Sequence, residues 1–116
     1  MIQNREQVLA DKFPFMKDVY IECHSGWHGL IEGMCQEWVD LYNISGGDLN
    51  DIEVLQIKEK FGRLSVYAHN LIEGGYDILD KYARLSTATC EVCGKPGKVV
   101  GEHWVMVRCD NCIKEG

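Results

Sequence analysis

Two Cys-x-x-Cys pairs, Cys90-Glu91-Val92-Cys93 and Cys109-Asp110-Asn111-Cys112, stand 15 residues apart near the end of this 116-residue chain. No other feature narrows the fold so far. A two-residue gap lets one tight turn aim two sulfurs at one metal, and the intervening stretch is long enough to run out and return as a hairpin. This is the pattern of a structural zinc ribbon or knuckle. Cys90, Cys93, Cys109 and Cys112 are therefore the expected ligands of one zinc ion. A four-cysteine site has no open coordination position, so it holds a fold together and activates no substrate. The alternative, two disulfides, belongs to oxidising compartments. Residues 1–20 show no basic start followed by an apolar run, and no apolar stretch approaches the roughly 18 residues of a membrane span. The expectation is a cytoplasmic chain without a membrane segment, in which Cys23 and Cys35 are reduced thiols.

With 46% hydrophobic residues, the chain can build a core of its own. Its length suits one compact unit, read as an α+β body over residues 1–86 and a ribbon-like module over 87–116 docked on it. Formal net charge is −6, and four thiolates with one divalent ion would bring it near −8. The charge is unevenly placed. Residues 1–83 hold 14 acids and 7 bases, whereas 84–116 hold 4 acids and 5 bases. No Lys or Arg occurs between Lys17 and Lys58, a stretch carrying Asp18, Glu22, Glu32, Glu37, Asp40, Asp48, Asp51 and Glu53. Such a surface repels nucleic-acid phosphate and suits a basic protein surface. Glu32, Glu37, Asp40, Asp48 and Asp51 are the candidate partner-binding residues, for a protein partner first and nucleic acid second.

Hydrophobic periodicity supplies the elements. Residues 3–12 read as a short helix ended by Pro14, which disfavours helix at Phe13. Val19 to Ile21 reads as extended. Trp27, Leu30, Ile31, Met34, Trp38, Leu41 and Tyr42 form one apolar stripe of a helix over Gly26–Tyr42, with Ser25 as N-cap. Gly29 and Gly33 in that helix suggest close approach by another backbone, or a smooth contact surface. Residues 43–50 read as a loop. Ile52–Lys58 and Arg63–His69 read as two strands around Glu59-Lys60-Phe61-Gly62, with Gly62 free to take positive φ. Apolar residues on both faces predict a hairpin covered on both sides. A second helix spans Tyr76–Leu85, and Lys98–Val100 with Trp104–Arg108 form the hairpin between the cysteine pairs. The expected fold is α+β: two main helices on a small antiparallel hairpin sheet, plus a C-terminal zinc-ribbon-like hairpin.

Outside the ribbon, Glu22, Cys23, His24 and His28 are the densest reactive group. They open an alternative in which Cys23, paired with His24 or His28, is a nucleophile. Geometry opposes it, because adjacent residues in an extended stretch point to opposite sides. No phosphate-binding loop, nucleophile elbow or His-Glu-x-x-His occurs. The chain reads as a non-enzyme. A further alternative is a nucleic-acid-binding regulator. Lys95, Lys98, His103, Trp104 and Arg108 in the ribbon, with Lys58, Lys60, Phe61 and Arg63 at the hairpin tip, would form a basic and aromatic platform if the two patches fell on one side.

Several segments carry a resemblance. They are Ile21-Glu22-Cys23 with Gly26-Trp27, Leu30-Ile31 and Cys35; Gln56 to Gly62 with Leu64 and Tyr67; and Thr89 to Gly97 with Trp104 and Arg108-Cys109-Asp110. Together, over roughly Tyr20 to Cys112, they resemble a family of small, uncharacterised phage and prophage proteins. Many of its members end the metal site with His, where this chain has Cys112, a change that keeps four tetrahedral ligands. The resemblance implies a protein working in a host-cell cytoplasm by binding a host macromolecule, such as a component of a host defence system.

Overall fold

The computed structural model describes residues 5–115, so the first two positions of the helix expected over 3–12 lie outside it. The order is α1 (Arg5–Lys12), β1 (Tyr20–Glu22), α2 (His28–Ser45), β2 (Glu53–Lys60), β3 (Arg63–His69), α3 (Gly75–Ser86), β4 (Lys98–Val100), β5 (Met106–Arg108) and α4 (Asp110–Glu115). The fold is mixed α+β, with a three-stranded sheet, a two-stranded hairpin and the cysteine cluster beside that hairpin.

The expected stripe of α2 is its buried face. Ile31, Met34, Trp38 and Tyr42 are fully buried, and Trp27 lies just ahead of the helix in the same core. Each large aromatic also satisfies its polar atom. Trp38 Nε1 donates to the Gly75 carbonyl at 3.0 Å; Tyr42 Oη donates to the Asn70 carbonyl at 3.3 Å and accepts from the Ile72 N–H at 3.0 Å. These bonds tie α2 to the entry of α3. The helix overruns its expected end at Tyr42 and continues to Ser45, where Gly46, at φ 77°, closes it with its N–H on the Tyr42 carbonyl. Its start also differs. Ser25 caps nothing; it opens a 3-10 turn, Ser25–Trp27, and no side chain caps that turn or α2.

The sheet order is β1-β2-β3, with β1 parallel to β2 and β2 antiparallel to β3. The sheet is thus wider than the expected hairpin, because α2 is the crossover that a parallel β1–β2 pair requires. Strict alternation along β2 also fails. A bulge between Val54 and Gln56 shifts the phase, so Val54 and Ile57 both reach the core although they are three positions apart. Ile21, Ile57 and Val66 share one cross-strand row facing the helices, whereas Tyr20, Gln56 and Tyr67 form the next row on the other face. That second face is open. Tyr20 is 64% exposed, Leu55 50% and Tyr67 43%. The expectation of cover on both sides is therefore corrected: among the described residues, the outward side chains of Tyr20, Leu55 and Tyr67 lie largely exposed.

The β2–β3 turn is the two residues Phe61-Gly62, with φ 52° and 77°. Two successive positive φ values match the strand twist in a two-residue hairpin. Gly62 takes this at little cost, whereas Phe61 is strained. The Glu59 carboxylate steadies the turn by accepting the Gly62 N–H at 2.7 Å. Below the sheet, buried Ser86 of α3 accepts the Leu64 N–H at 2.9 Å and donates to the Ala83 carbonyl.

Candidate metal centre

Each cysteine pair sits on a different local device. After Cys90, Gly94 turns the chain back at φ 83° with its N–H on the Cys90 carbonyl at 2.9 Å, while the Cys90 N–H donates to the Lys95 carbonyl at 2.7 Å. After β5, Cys109 opens α4, whose Ile113 N–H bonds the Cys109 carbonyl at 3.0 Å, and Cys112 lies within that helix. The sequence reading lacked this helix. A six-residue helix is too short to leave a periodic signal, and it gains its place beside the cysteines.

The four sulfurs converge, all lying within 4.8 Å of one another, with Cys93 Sγ and Cys109 Sγ 3.5 Å apart. Tetrahedral coordination with metal–sulfur bonds of about 2.3 Å needs sulfur–sulfur separations near 3.8 Å. No disulfide joins any of the six cysteines. The arrangement fits a metal ion and not a pair of disulfides. The thiol chemistry agrees. Burial pushes Cys90 up, but the N–H groups of Cys93, Cys109 and Val92 outweigh it and bring the thiol down to about 6. The Cys112 N–H holds Cys109 below the ordinary thiol range. Cys112 is pushed up to about 12, first by its neighbour Cys109 and then by burial. A divalent cation among four packed sulfurs would let all four ionise.

This cluster is fastened to the core. The Gly26 N–H donates to the Glu91 carbonyl at 2.6 Å, Trp27 Nε1 to the Thr89 carbonyl at 2.8 Å, and the His24 N–H to a Glu91 carboxylate oxygen at 3.1 Å. Buried Glu91 also faces the Arg108 guanidinium at 3.4 Å. Val107 of β5 is fully buried in the same core as Ile57 and Leu64. The first cysteine turn and the segment before α2 meet backbone to backbone. A Cβ on Gly26 would overlap the carbonyl oxygens of Cys90 and Glu91, and one on Gly94 would sit 3.1 Å from the Gly26 oxygen. The close approach expected at Gly29 is at Gly26 instead. Gly29 has nothing within 4 Å, whereas at Gly33 the Tyr82 side chain packs so closely that a Cβ would meet its hydroxyl at 2.9 Å. Gly26 and Glu91 escaped the sequence reading because they meet across 65 residues, and a backbone contact leaves no side-chain pattern.

The other candidate residues are scattered. Of the five acids, Glu32 pairs with Lys12 at 2.8 Å. Glu37 faces Lys81 at 2.5 Å and also accepts the Tyr82 hydroxyl, so it clamps α2 to α3. The Lys81 and Tyr82 hydrogen bonds hold the Glu37 carboxyl below its ordinary range, and burial, then Glu37, push the Tyr82 hydroxyl up to about 12. Asp40, Asp48 and Asp51 are exposed, with Asp48 capping a 3-10 turn through the Asn50 N–H at 2.9 Å. Cys23 and His24 share a cleft of about 400 Å³ with Glu91 and Arg108, whereas His28 lies buried in the first turn of α2 and does not line it. Burial, aided by Glu32, pushes the Cys35 thiol far above its ordinary range, which makes it unreactive. No helix among the described residues is long and apolar enough to cross a membrane. Compared with protein-family models, curated proteins and solved structures, the chain matches none.

Proposed function

We propose that this is a phage-type, zinc-holding protein that performs no catalysis and acts by presenting a rigid surface to a host macromolecule. The observation that carries the reading is the closed four-cysteine cluster joined directly to the core. The chain's strongest ligand set is one that suits structural zinc and leaves no coordination position for a substrate. Four converging sulfur ligands suit zinc or iron and disfavour hard cations such as magnesium and calcium, and the ion proposed is zinc. Of the alternative nucleophile group, Cys23 and His24 share a cleft that His28 does not line. The phage setting rests on the motif resemblance from Tyr20 to Cys112. Host-protein binding through the acidic residues is better supported at Asp40, Asp48 and Asp51, which are exposed, than at Glu32 and Glu37, which are ion-paired within the molecule.

The test has two parts. Metal analysis of protein purified without added zinc is expected to return about one zinc per chain, and cobalt substitution to give the visible bands of a tetrahedral thiolate site. Tagged protein, incubated with host lysate with and without nuclease, is expected to retain a stoichiometric macromolecule. Metal-free protein whose melting is indifferent to chelators would overturn the zinc assignment, and failure to retain any protein or nucleic acid would overturn the binding role.

A further inference from the structure

The two basic and aromatic patches, far apart in sequence, lie side by side. Phe61, on the β2–β3 turn, is 80% exposed, and Trp104, on the β4–β5 loop, is 78% exposed. They line one hollow of about 350 Å³ together with Lys60, His103, Val105 and Glu59. A Cβ on Gly62 would come within 2.9 Å of Val105 Cγ1 and 3.5 Å of Val99 Cγ1, so the glycine lets the ribbon loop close against the turn. The hollow is composite: the body supplies Phe61 and the metal-stapled module supplies Trp104.

Its chemistry is selective. Two aromatic rings exposed to water carry a cost that stability does not explain, and Phe61 adds a strained backbone at φ 52°. Lys60 pairs directly with Arg63 across the turn, and Lys58 lies one outward row behind, its ammonium 5.6 Å from the Tyr67 ring. Lys58, Lys60 and Arg63 are the first Lys or Arg residues after a stretch from 18 to 57 that has neither. Glu59, the single carboxylate lining the hollow, is turned to the Gly62 N–H. Exposed Glu102, beside His103, keeps the patch from being wholly cationic. Planar rings with neighbouring cations suit an unpaired base stacked on Trp104 and Phe61, its backbone phosphates near Lys60 and Arg63. A duplex hides its base faces and presents denser phosphate to a body of net charge −6, which repels it.

We propose that the Phe61–Trp104 hollow, with Lys60 and Arg63 beside it, binds single-stranded nucleic acid. The inference rests on the binding role proposed above and names its ligand. The probes are oligothymidylate and oligouridylate, titrated against the metal-loaded full chain at low salt. Trp27 and Trp38 are fully buried, so emission lost on titration reports stacking on Trp104. Quenching is expected, with affinity falling steeply as salt rises. Trp104→Ala and Phe61→Ala should each weaken binding of labelled oligonucleotide about tenfold or more, while Trp104→Phe retains most of it. Lys60→Glu with Arg63→Glu should weaken binding and flatten its salt dependence. Circular dichroism melts confirm that each variant is folded. Preference between the two probes decides between DNA and RNA. Absence of quenching by both, duplex bound as tightly as single strand, or affinity unchanged in folded Trp104→Ala would each overturn the inference. A nuclease-resistant host protein captured without oligonucleotide binding would overturn it too, while leaving the broader binding role standing.

Discussion

Gly26→Ala is the sharpest test of how the metal module is held. The new Cβ would overlap the backbone carbonyl oxygens of both Cys90 and Glu91. Neither can step aside alone, because Cys90 carries a metal-site sulfur and Glu91 is fixed by Gly26, His24 and Arg108. The molecule must therefore strain the turn or lift the module away. Strain from overpacking costs about 1–3 kcal/mol. Lifting the module breaks the hydrogen bonds from Gly26, Trp27 and His24, each worth about 1 kcal/mol, and uncovers Val107. The cheaper route sets the loss, so about 1–3 kcal/mol is expected, which for a chain of this size lowers the melting temperature by about 4–12 °C. Gly29→Ala is the matched control. It lies three residues on, inside α2, with nothing within 4 Å of its added methyl. It should stabilise by up to about 1 kcal/mol through helix propensity alone. Thermal and urea unfolding of the two variants, each with metal bound, should move in opposite directions. If Gly26→Ala melts with the unmodified protein, the described contact between the first cysteine turn and the segment before α2 is wrong.

Four other outcomes are expected. Chelation, or Cys93→Ser, should raise amide exchange across residues 90–112 and shift Trp27 emission to the red, since its indole N–H bonds Thr89; unchanged exchange would refute a metal-held module. Glu37 has a lowered folded-state pKa, so its contribution is present above the ordinary carboxylate range and lost as pH falls through the folded value. Glu37→Gln should therefore cost up to about 1 kcal/mol at neutral pH, allowing for solvent screening, and almost nothing in strong acid, as read from urea midpoints. Tyr82 is raised to about 12, so its contribution is complete below the ordinary tyrosine value and fades as pH climbs through about 12; Tyr82→Phe should remove that alkaline loss from the unfolding profile. Ser86→Ala leaves the Leu64 N–H without its acceptor and should cost about 1–3 kcal/mol in the same assay.

The turn offers a test in which stability and binding diverge. Asn is favoured where φ is positive, so Phe61→Asn should stabilise the hairpin by about 0.5–1 kcal/mol while weakening oligonucleotide binding. Gain without loss would show that Phe61 is strained to no purpose at this surface.

What the sequence alone determined is local. Cys-x-x-Cys spacing marks the metal cluster because two ligands on one tight turn need no distant partner. The α2 stripe announces its buried face because 3.6-residue periodicity is written along a single helix. Gly62 marks the turn for the same reason, since positive φ is a property of a residue and its immediate neighbours. Tertiary structure decided what lies between segments. The bulge at Val54–Gln56 reset the strand phase and left a sheet face open, which alternation read along β2 alone placed under cover. Glu37, an exposed acid by sequence, became a clamp between helices because Lys81 and Tyr82 were brought to it from 44 and 45 residues away. Gly26 met the first cysteine turn, and Phe61 met Trp104, only once the chain had folded. Backbone contacts and composite hollows draw on residues whose separate neighbourhoods look ordinary, so their meaning exists only once packing has placed them together.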